Sequence, residues 1–224
     1  SVSAQSTPIL LPRVAGEHLV YCTPFNRVIA LDPQTGRERW TYDPKVRRTS
    51  ERPYRCRGVA YAQVAQAEAT ATCRHRLYTV TGDRRLIALD ARDGRPCEQF
   101  GDRGTVTLAE HERYGLEEVG SSSPPAVANG VVVVGSSVID FAYAEAPRGV
   151  IAAYDAITGE PRWTFDPLEG VSGTGAGNAW APLAVDAASD MIFVPTSAPS
   201  PDYYGGLRAG HNERANSVVA LRLS

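Results

Sequence analysis

The chain has 224 residues, of which 43% are hydrophobic, and a formal net charge of −2 at pH 7. This composition allows one large all-β domain or two small ones, and it lacks the basic footprint of a nucleic-acid-binding protein. No apolar run approaches the roughly 20 residues that a membrane-spanning helix needs.

Short strand-like segments dominate the chain. They are rich in β-branched and aromatic residues and are bounded by turn residues, and no segment has the apolar stripe of a convincing amphipathic helix. The sequence therefore predicts an all-β fold. In chain order, the predicted strands are Leu19–Thr23, Val28–Leu31, Arg39–Tyr42, Gly58–Ala62, Leu77–Val80, Leu86–Leu89, Val131–Gly135, Val150–Tyr154, Arg162–Phe165, Met191–Val194 and Ser217–Leu221.

One phrase recurs among these strands. Val28–Trp40 reads V-I-A-L-D-P-Q-T-G-R-E-R-W, and Ile151–Trp163 reads I-A-A-Y-D-A-I-T-G-E-P-R-W. Leu86–Gly94 shares the opening L-I-A-L-D-A-R-D-G, and Ser217–Leu221 begins a fourth copy. The copies recur with an approximate spacing of about 60 to 70 residues, and their sequences are typical of β-strands. Such a repeat indicates stacked supersecondary units such as propeller blades.

Each part of the repeated sequence has a structural role. The apolar run is a buried strand, the Asp starts a tight turn, and the Gly supplies the positive φ that the turn requires. The Trp lies on the returning strand, where a large flat ring can fill the gap between neighbouring sheets. The second copy has Glu98 at the Trp position, and we expect Phe100 to compensate in part.

The predicted fold is a β-propeller of four-stranded antiparallel blades. We assign residues 1–224 to one partial propeller domain, with repeats near 18–62, 76–100, 125–167 and 181–224. Three copies and the start of a fourth fall short of a closed ring, which usually has four to eight blades. The chain is therefore expected to be part of a larger propeller, or to expose sheet edges that favour self-association.

The four cysteines, Cys22, Cys56, Cys73 and Cys97, form no C-x-x-C pair, which argues against a zinc site. Their spacing leaves two alternatives open, namely one or two disulfides in an oxidising compartment or four thiols.

Five segments between the repeats have more distinctive residue combinations than simple connecting loops need. Because each lies at or just beyond a strand end, a propeller could gather several functional groups on one face. They are two carboxylates (Asp140 and Asp202), an indole (Trp180), hydroxyls (Ser122, Ser123 and Ser200) and the guanidinium of Arg57. That mixture suits a flat, anionic, metal-bound ligand. The alternative is that these are turn residues and that Trp180 is a core residue. The segments are Cys56–Tyr61 (C-R-G-V-A-Y), Ser122–Pro125 (S-S-P-P), Gly135–Asp140 (G-S-S-V-I-D), Asn178–Pro182 (N-A-W-A-P) and Ser200–Gly206 (S-P-D-Y-Y-G-G).

At these segments the chain resembles the membrane-bound quinoprotein dehydrogenases of the glucose/quinate/shikimate class. The motifs follow the family's order from about Thr7 to Leu221. The resemblance implies an eight-bladed propeller on the periplasmic side of the bacterial inner membrane, with pyrroloquinoline quinone (PQQ) and Ca²⁺ or Mg²⁺ as cofactors. It also implies that membrane attachment uses a segment absent from this chain.

The resemblance implies roles for individual residues. Asp140 falls where the family has a carboxylate beside the metal, Trp180 where an indole packs on the quinone, and Ser200 where a hydroxyl lies near the cofactor. Arg57, Ser123 and Asp202 lie in matching motifs and are included as cofactor-binding candidates.

The chain also departs from the family pattern. Pro53 replaces a His three residues before C-R-G, and Phe141 replaces an Asn after the metal-site Asp. The family's general-base Asp belongs to a W-D segment downstream of the fourth repeat, so no catalytic residue is assigned, and this chain alone is expected to be inactive.

The implied function is part of a PQQ-dependent dehydrogenase that oxidises an aldose sugar or a cyclic polyol and passes electrons to ubiquinone. The alternative is a non-catalytic propeller that serves as a binding or assembly module, which the departures at Pro53 and Phe141 favour.

Overall fold

The computed structural model describes residues 5–47, 55–64, 71–108, 119–139, 143–208 and 210–224. Within these ranges the chain forms antiparallel strands and two 3₁₀ turns, at Arg13–Ala15 and Gly205–Leu207, and it contains no α-helix. Consequently, nothing in the described ranges could cross a bilayer as an apolar helix. The predicted all-β fold is confirmed.

The first two sheets each have four strands, paired in chain order. Sheet 1 contains β1 (Ile9–Leu10), β2 (Leu19–Cys22), β3 (Val28–Leu31) and β4 (Glu38–Tyr42). Sheet 2 contains β5 (Ala60–Gln63), β6 (His75–Val80), β7 (Arg85–Asp90) and β8 (Thr105–Thr107).

The second half of the chain repeats this arrangement with longer insertions. Its strands are β9 (Val119–Gly120), β10 (Ala126–Ala128), β11 (Val131–Val134), β12 (Ser137–Val138), β13 (Ile151–Asp155), β14 (Pro161–Phe165), β15 (Ala184–Asp186), β16 (Met191–Pro195) and β17 (Val218–Arg222). Sheet 3 has the order β10-β11-β13-β14, sheet 4 has the order β15-β16-β17, and β9 and β12 form a separate pair.

Three hydrophobic clusters lie between consecutive sheets. Val20 and Ala30 of sheet 1 meet Leu77 and Ile87 of sheet 2 in the first cluster. In the same way, the second cluster joins sheet 2 to sheet 3, and the third joins sheet 3 to sheet 4. Sheets that each pack face to face on the next in chain order are the blades of a β-propeller.

The repeated tryptophans pack as the sequence predicts. Trp40 is paired with the small Ala30 on the neighbouring strand, and Trp163 is paired with Ala153. The indole of Trp40 covers Gly94 in the turn of the next sheet, where a β-carbon would overlap the ring. The tryptophan of each complete repeat therefore fixes the spacing between neighbouring blades.

The second repeat fills the same gap without a tryptophan. Phe100 is fully buried in the cluster between sheets 2 and 3, together with the partly buried Val106. A β-carbon on Gly159, in the turn of sheet 3, would collide with the side chain of Val106. Phe100 and Val106 thus fill the gap between sheets 2 and 3, as Trp40 fills the gap between sheets 1 and 2.

The turn aspartates also behave as predicted. The Oδ1 atom of Asp32 accepts the N–H groups of Gln34 and Thr35, at 3.0 and 2.8 Å. Asp155 repeats this arrangement in sheet 3 with the two equivalent N–H groups of its own turn. These bonds satisfy turn backbone groups that no strand partner reaches.

The cysteines form two disulfides, which decides between the two alternatives left by the sequence. Cys22, at the end of β2, is joined to Cys56, which lies just before sheet 2. Cys73 is joined to Cys97 within sheet 2. The first of these bonds therefore cross-links two neighbouring blades.

Candidate functional site

Connections between strands lie at two ends of the sheets. The aspartate turns that join the third strand to the fourth lie at one end. The connections into the first strand of a sheet, and those from the second strand to the third, lie at the other end because the strands alternate in direction. All five predicted site segments are connections of this second kind. Within these segments, we call the following described loop residues the site rim: 56–58, 122–124, 135–139, 178–182 and 200–206.

Arg57 and Trp180 meet on the site rim, although they lie 123 residues apart in sequence. The guanidinium carbon of Arg57 lies 5.2 Å from the centroid of the Trp180 ring. Its Nη1 atom donates a hydrogen bond to the Trp180 carbonyl oxygen, at 3.3 Å. Trp180 keeps 47% of its surface exposed. The alternative that Trp180 is a core residue is therefore wrong.

The serines before sheet 3 have different environments. Ser122 donates to the Trp180 carbonyl oxygen at 3.5 Å, so it lies beside the Arg57 contact. Ser123 is buried and donates to the carbonyl oxygen of its neighbour Pro124, at 2.9 Å. The described contacts thus bring Ser122 to the backbone of Trp180, while the cofactor-binding role of Ser123 stays a prediction.

Asn178 ties its own segment of the site rim to loops of sheets 3 and 4. Its Nδ2 atom donates to the carbonyl oxygen of Ser136 at 3.2 Å, and its Oδ1 atom accepts the hydroxyl of Ser197. Gly149, just before β13, lies so close to Asn178 that a β-carbon there would collide with it. The segment that carries Trp180 is therefore anchored on the loops of sheets 3 and 4.

Ser200 lies against backbone rather than in the open part of the rim. Its hydroxyl accepts the N–H groups of Ala146 and Gly175, at 3.2 and 3.1 Å, and donates to the carbonyl oxygen of Ala144 at 2.9 Å. Only 3% of the residue is exposed. In this arrangement Ser200 joins two loops, and a direct contact with a cofactor stays a prediction.

Asp202 carries a carboxyl oxygen that is buried without a hydrogen-bond partner, the Oδ1 atom. Burial raises the pKa of this carboxyl, and the charge of Arg208 only partly opposes the rise. Arg208 also donates to the backbone carbonyl oxygens of Pro201 and Asp202, at 3.2 and 3.4 Å, which holds the loop in place. Asp202 is thus a carboxyl group with spare hydrogen-bonding capacity.

The predicted metal ligand Asp140 lies outside the described residues, as do Phe141 and Pro53. In the part of the chain that the structure describes, no group of three or more His, Cys, Asp or Glu side chains could hold a metal ion. The metal site therefore stays a prediction that rests on the motif around Asp140.

Two further residues of the rim region carry buried polar atoms without partners. They are the Oγ atom of Ser136, whose residue is 3% exposed, and the Oδ1 atom of Asn212. The G-S-S motif does not distinguish Ser136 from its neighbour Ser137, and no predicted segment contains Asn212. The motif marks the segment, but only packing reveals which hydroxyl is left unpaired.

Tryptophans pack between the blades of this propeller, and the five predicted segments lie at the same end of its sheets. These two features define the class of this protein. All of its residues, 1–224, match the family described as the β-propeller domain of PQQ-dependent glucose/ethanol/alcohol dehydrogenases, and the chain belongs to that family.

Individual relatives agree with this assignment. The chain is 35% identical over 246 residues to quinoprotein glucose dehydrogenase A of Acinetobacter calcoaceticus, which covers 99% of this chain and 31% of that protein. It is also 35% identical over 240 residues to quinate/shikimate dehydrogenase (quinone) of Acinetobacter baylyi, which covers 95% of this chain and 29% of that protein. The chain thus spans about a third of the length of the curated relatives that it matches.

A solved structure supports the fold. The quinohemoprotein alcohol dehydrogenase of Comamonas testosteroni superimposes with a TM-score of 0.74 at 24% identity, over 99% of this chain and 33% of that chain. At this identity the likeness concerns the fold alone, and it agrees with a partial propeller.

Proposed function

We propose that this chain forms part of the PQQ site of a quinoprotein dehydrogenase that oxidises an aldose sugar or a cyclic polyol and passes electrons to ubiquinone. The observation that carries the proposal is the half-exposed indole of Trp180 with the guanidinium of Arg57 on its ring. An aromatic face beside a fixed cation is suited to a flat, anionic ring system.

The described residues fit PQQ. Besides the indole and the guanidinium, the rim offers the unpaired hydroxyl of Ser136 and the unpaired carboxyl oxygen of Asp202. A buried polar atom without a partner costs about 1 to 3 kcal/mol, which a bound ligand with donors and acceptors would recover. Ser123 and Ser200 would support the site rim from its buried side, and PQQ would supply the two-electron acceptor for alcohol oxidation.

Asp140 is the proposed ligand for Ca²⁺ or Mg²⁺. A carboxylate is the side chain that these hard cations prefer, and Asp140 directly follows the rim segment that ends at Ile139. The proposed substrate class includes sugars and cyclic polyols together, because the chain is equally similar to a glucose enzyme and to a quinate/shikimate enzyme.

We place the protein on the periplasmic side of the bacterial inner membrane. Both disulfides support this location, because disulfides persist in oxidising compartments such as the periplasm and are rare in the cytosol.

The test uses the intact polypeptide that carries this chain, reconstituted with PQQ and either Ca²⁺ or Mg²⁺. Dye reduction is measured with glucose, quinate and shikimate, for the wild type, Trp180→Ala and the control Asp102→Asn, whose carboxylate is exposed. We expect activity that requires PQQ and a metal, survives in the control and is lost in Trp180→Ala. A folded, PQQ-treated protein that oxidises none of these compounds would contradict the proposal and favour a binding or assembly module.

A further inference from the structure

Asn129 and Gly130 form the two-residue turn between β10 and β11. The ladder pairs Ala128 with Val131, so the N–H group of Gly130 lies outside the ladder. Both turn residues are exposed, and a β-carbon added at Gly130 would meet no neighbouring group within 4 Å. Asn-Gly is the pair that such hairpin turns prefer. Position 130 therefore contributes no side chain that could shield its backbone nitrogen from the Asn129 amide.

Asparagine followed by glycine is a chemically labile pair, and Asn129 is the only asparagine in the sequence that precedes a glycine. The Gly130 nitrogen, after losing its proton to base, forms a bond to Cγ of Asn129. The bond from Cγ to Nδ2 breaks, and Nδ2 takes up protons and leaves as ammonia. Water then opens the resulting succinimide, with hydroxyl added to a carbonyl carbon and hydrogen returned to the nitrogen. The net reaction is a hydrolysis that yields Asp or isoaspartate.

The same amide joins sheet 3 to sheet 4. Its Nδ2 atom donates to the carbonyl oxygen of Ala187 at 2.9 Å and to Oδ1 of Asp190 at 2.8 Å, both in the turn between β15 and β16. The bond from Asn129 is the main cause that lowers the pKa of Asp190 below its usual value, so this carboxyl is ionised at neutral pH. Two acceptors, one of them charged, therefore face the NH₂ group that deamidation removes.

We propose that Asn129 is a site of spontaneous deamidation whose product separates the turns of sheets 3 and 4. The product places a carboxylate oxygen against the Ala187 carbonyl and the Asp190 carboxylate, so two hydrogen bonds become two contacts between acceptors. While the turns are in contact, Nδ2 uses its hydrogens for these two bonds, which opposes its departure. The contact thus protects Asn129 while it is closed, and modification prevents it from closing again. The inference is independent of the proposed function.

The first arm of the test measures the reaction on the intact polypeptide. Wild type and Asp190→Ala are incubated in mildly alkaline buffer, and mass spectrometry of peptides follows conversion at Asn129 and at the internal control Asn216. The control is also exposed, with a φ of +53°, but Ser217 follows it. We expect Asn129 to react faster than Asn216, and Asp190→Ala to accelerate Asn129 alone by about two- to tenfold, the worth of one hydrogen bond. Asn129 reacting no faster than Asn216, or equally fast in both variants, overturns the inference.

The second arm measures what the product does to the contact. Asn129→Asp carries the side chain of the product and should lower the urea midpoint by about 0.3 to 1 M. Adding Asp190→Asn puts an amide donor opposite the new carboxylate again, so the double variant should recover most of this loss. The control Asn216→Asp should stay within about 0.2 M of wild type. A loss in Asn129→Asp that Asp190→Asn does not relieve, or no loss at all, overturns the proposed separation of the turns.

Discussion

Trp40 and Gly94 touch across the boundary between sheets 1 and 2, and the indole occupies the space where a β-carbon on Gly94 would lie. Gly94 also has a φ of +75°, which favours glycine. A glycine is thus required at position 94 for two reasons. Its own turn has a positive φ, and the neighbouring blade leaves no room for a β-carbon.

Gly36 allows the cost of the left-handed backbone to be separated from the cost of disturbing the blade contact. It holds the equivalent turn position in sheet 1 with a φ of +70°, and a β-carbon added there would meet no neighbouring group within 4 Å. We expect Gly36→Ala to cost about 1 to 2 kcal/mol for the left-handed backbone. Gly94→Ala should cost about 1 to 3 kcal/mol more, because the methyl group overpacks the Trp40 contact. Urea unfolding of both variants measures the difference, and equal losses would contradict the blade contact.

Trp163 and Trp180 should differ in how much each contributes to the free energy of unfolding. Trp163 donates from Nε1 to the carbonyl oxygen of Leu223 at 2.9 Å and packs against the core between sheets 3 and 4. Trp163→Phe should therefore lower the free energy of unfolding by about 1 to 3 kcal/mol. Trp180→Phe should change it by less than about 0.5 kcal/mol, since the ring is half exposed. Chemical denaturation of both variants gives the comparison, and a larger stability loss for Trp180→Phe would argue against a site role.

The two disulfides should make the fold sensitive to reduction. They close loops with sequence separations of 34 and 24 residues. In the chain-entropy account, each contributes about 3 to 4 kcal/mol by restricting the unfolded chain. Reduction with a phosphine should therefore cause a large drop in melting temperature, and denatured protein should show no free thiol before reduction and four afterwards. Free thiol in the unreduced, denatured protein would show that the pairing is incomplete.

Asp90 should make folding stability depend on pH. Burial alone would raise the pKa of its carboxyl, but hydrogen bonds from the Arg92 side chain and from the Cys73 N–H outweigh burial, and the pKa falls below its usual value of 3.8. A depressed folded-state pKa adds stability above the unfolded-state pKa, and this stability is lost as the pH falls through the folded-state value. The stability gap between wild type and Asp90→Asn should thus be constant above about pH 5 and shrink below about pH 4.

Urea midpoints at several pH values test this linkage. Asp102→Asn is the matched control, because the Asp102 side chain is 86% exposed. Its stability difference from wild type should be small at every pH. A gap for Asp90→Asn that widens toward acid pH would have the wrong sign.

Much of the fold was accessible from the sequence because its longest strands carry clear β patterns. Val131–Val134 and the strands of the repeated phrase are apolar runs with turn residues at both ends, and they were predicted close to their observed bounds. The missed strands, such as β1, β9 and β12, have two or three residues. Such segments are too short to show a period, and their pairing depends on the neighbouring strand.

The sequence identifies segments that meet in the structure, but it does not reveal how their individual side chains are paired. The motifs identified the loops that meet, including the one that brings Arg57 to Trp180. They could not reveal that the Ser200 hydroxyl is used by three backbone groups, or that Ser136 is left unpaired. Hydrogen-bond partners of this kind come from loops far apart in sequence, so local spacing carries no signal for them.

The proposed PQQ site lies on the site rim, against the indole of Trp180. Equilibrium titration of the intact polypeptide with PQQ, followed by the quenching of tryptophan fluorescence, tests it most directly. We expect one PQQ per polypeptide, with quenching that is largely abolished in Trp180→Phe and retained when a distant carboxylate is changed, as in Asp102→Asn. PQQ binding with the same quenching in Trp180→Phe, or no binding by the folded wild type, would contradict the claim.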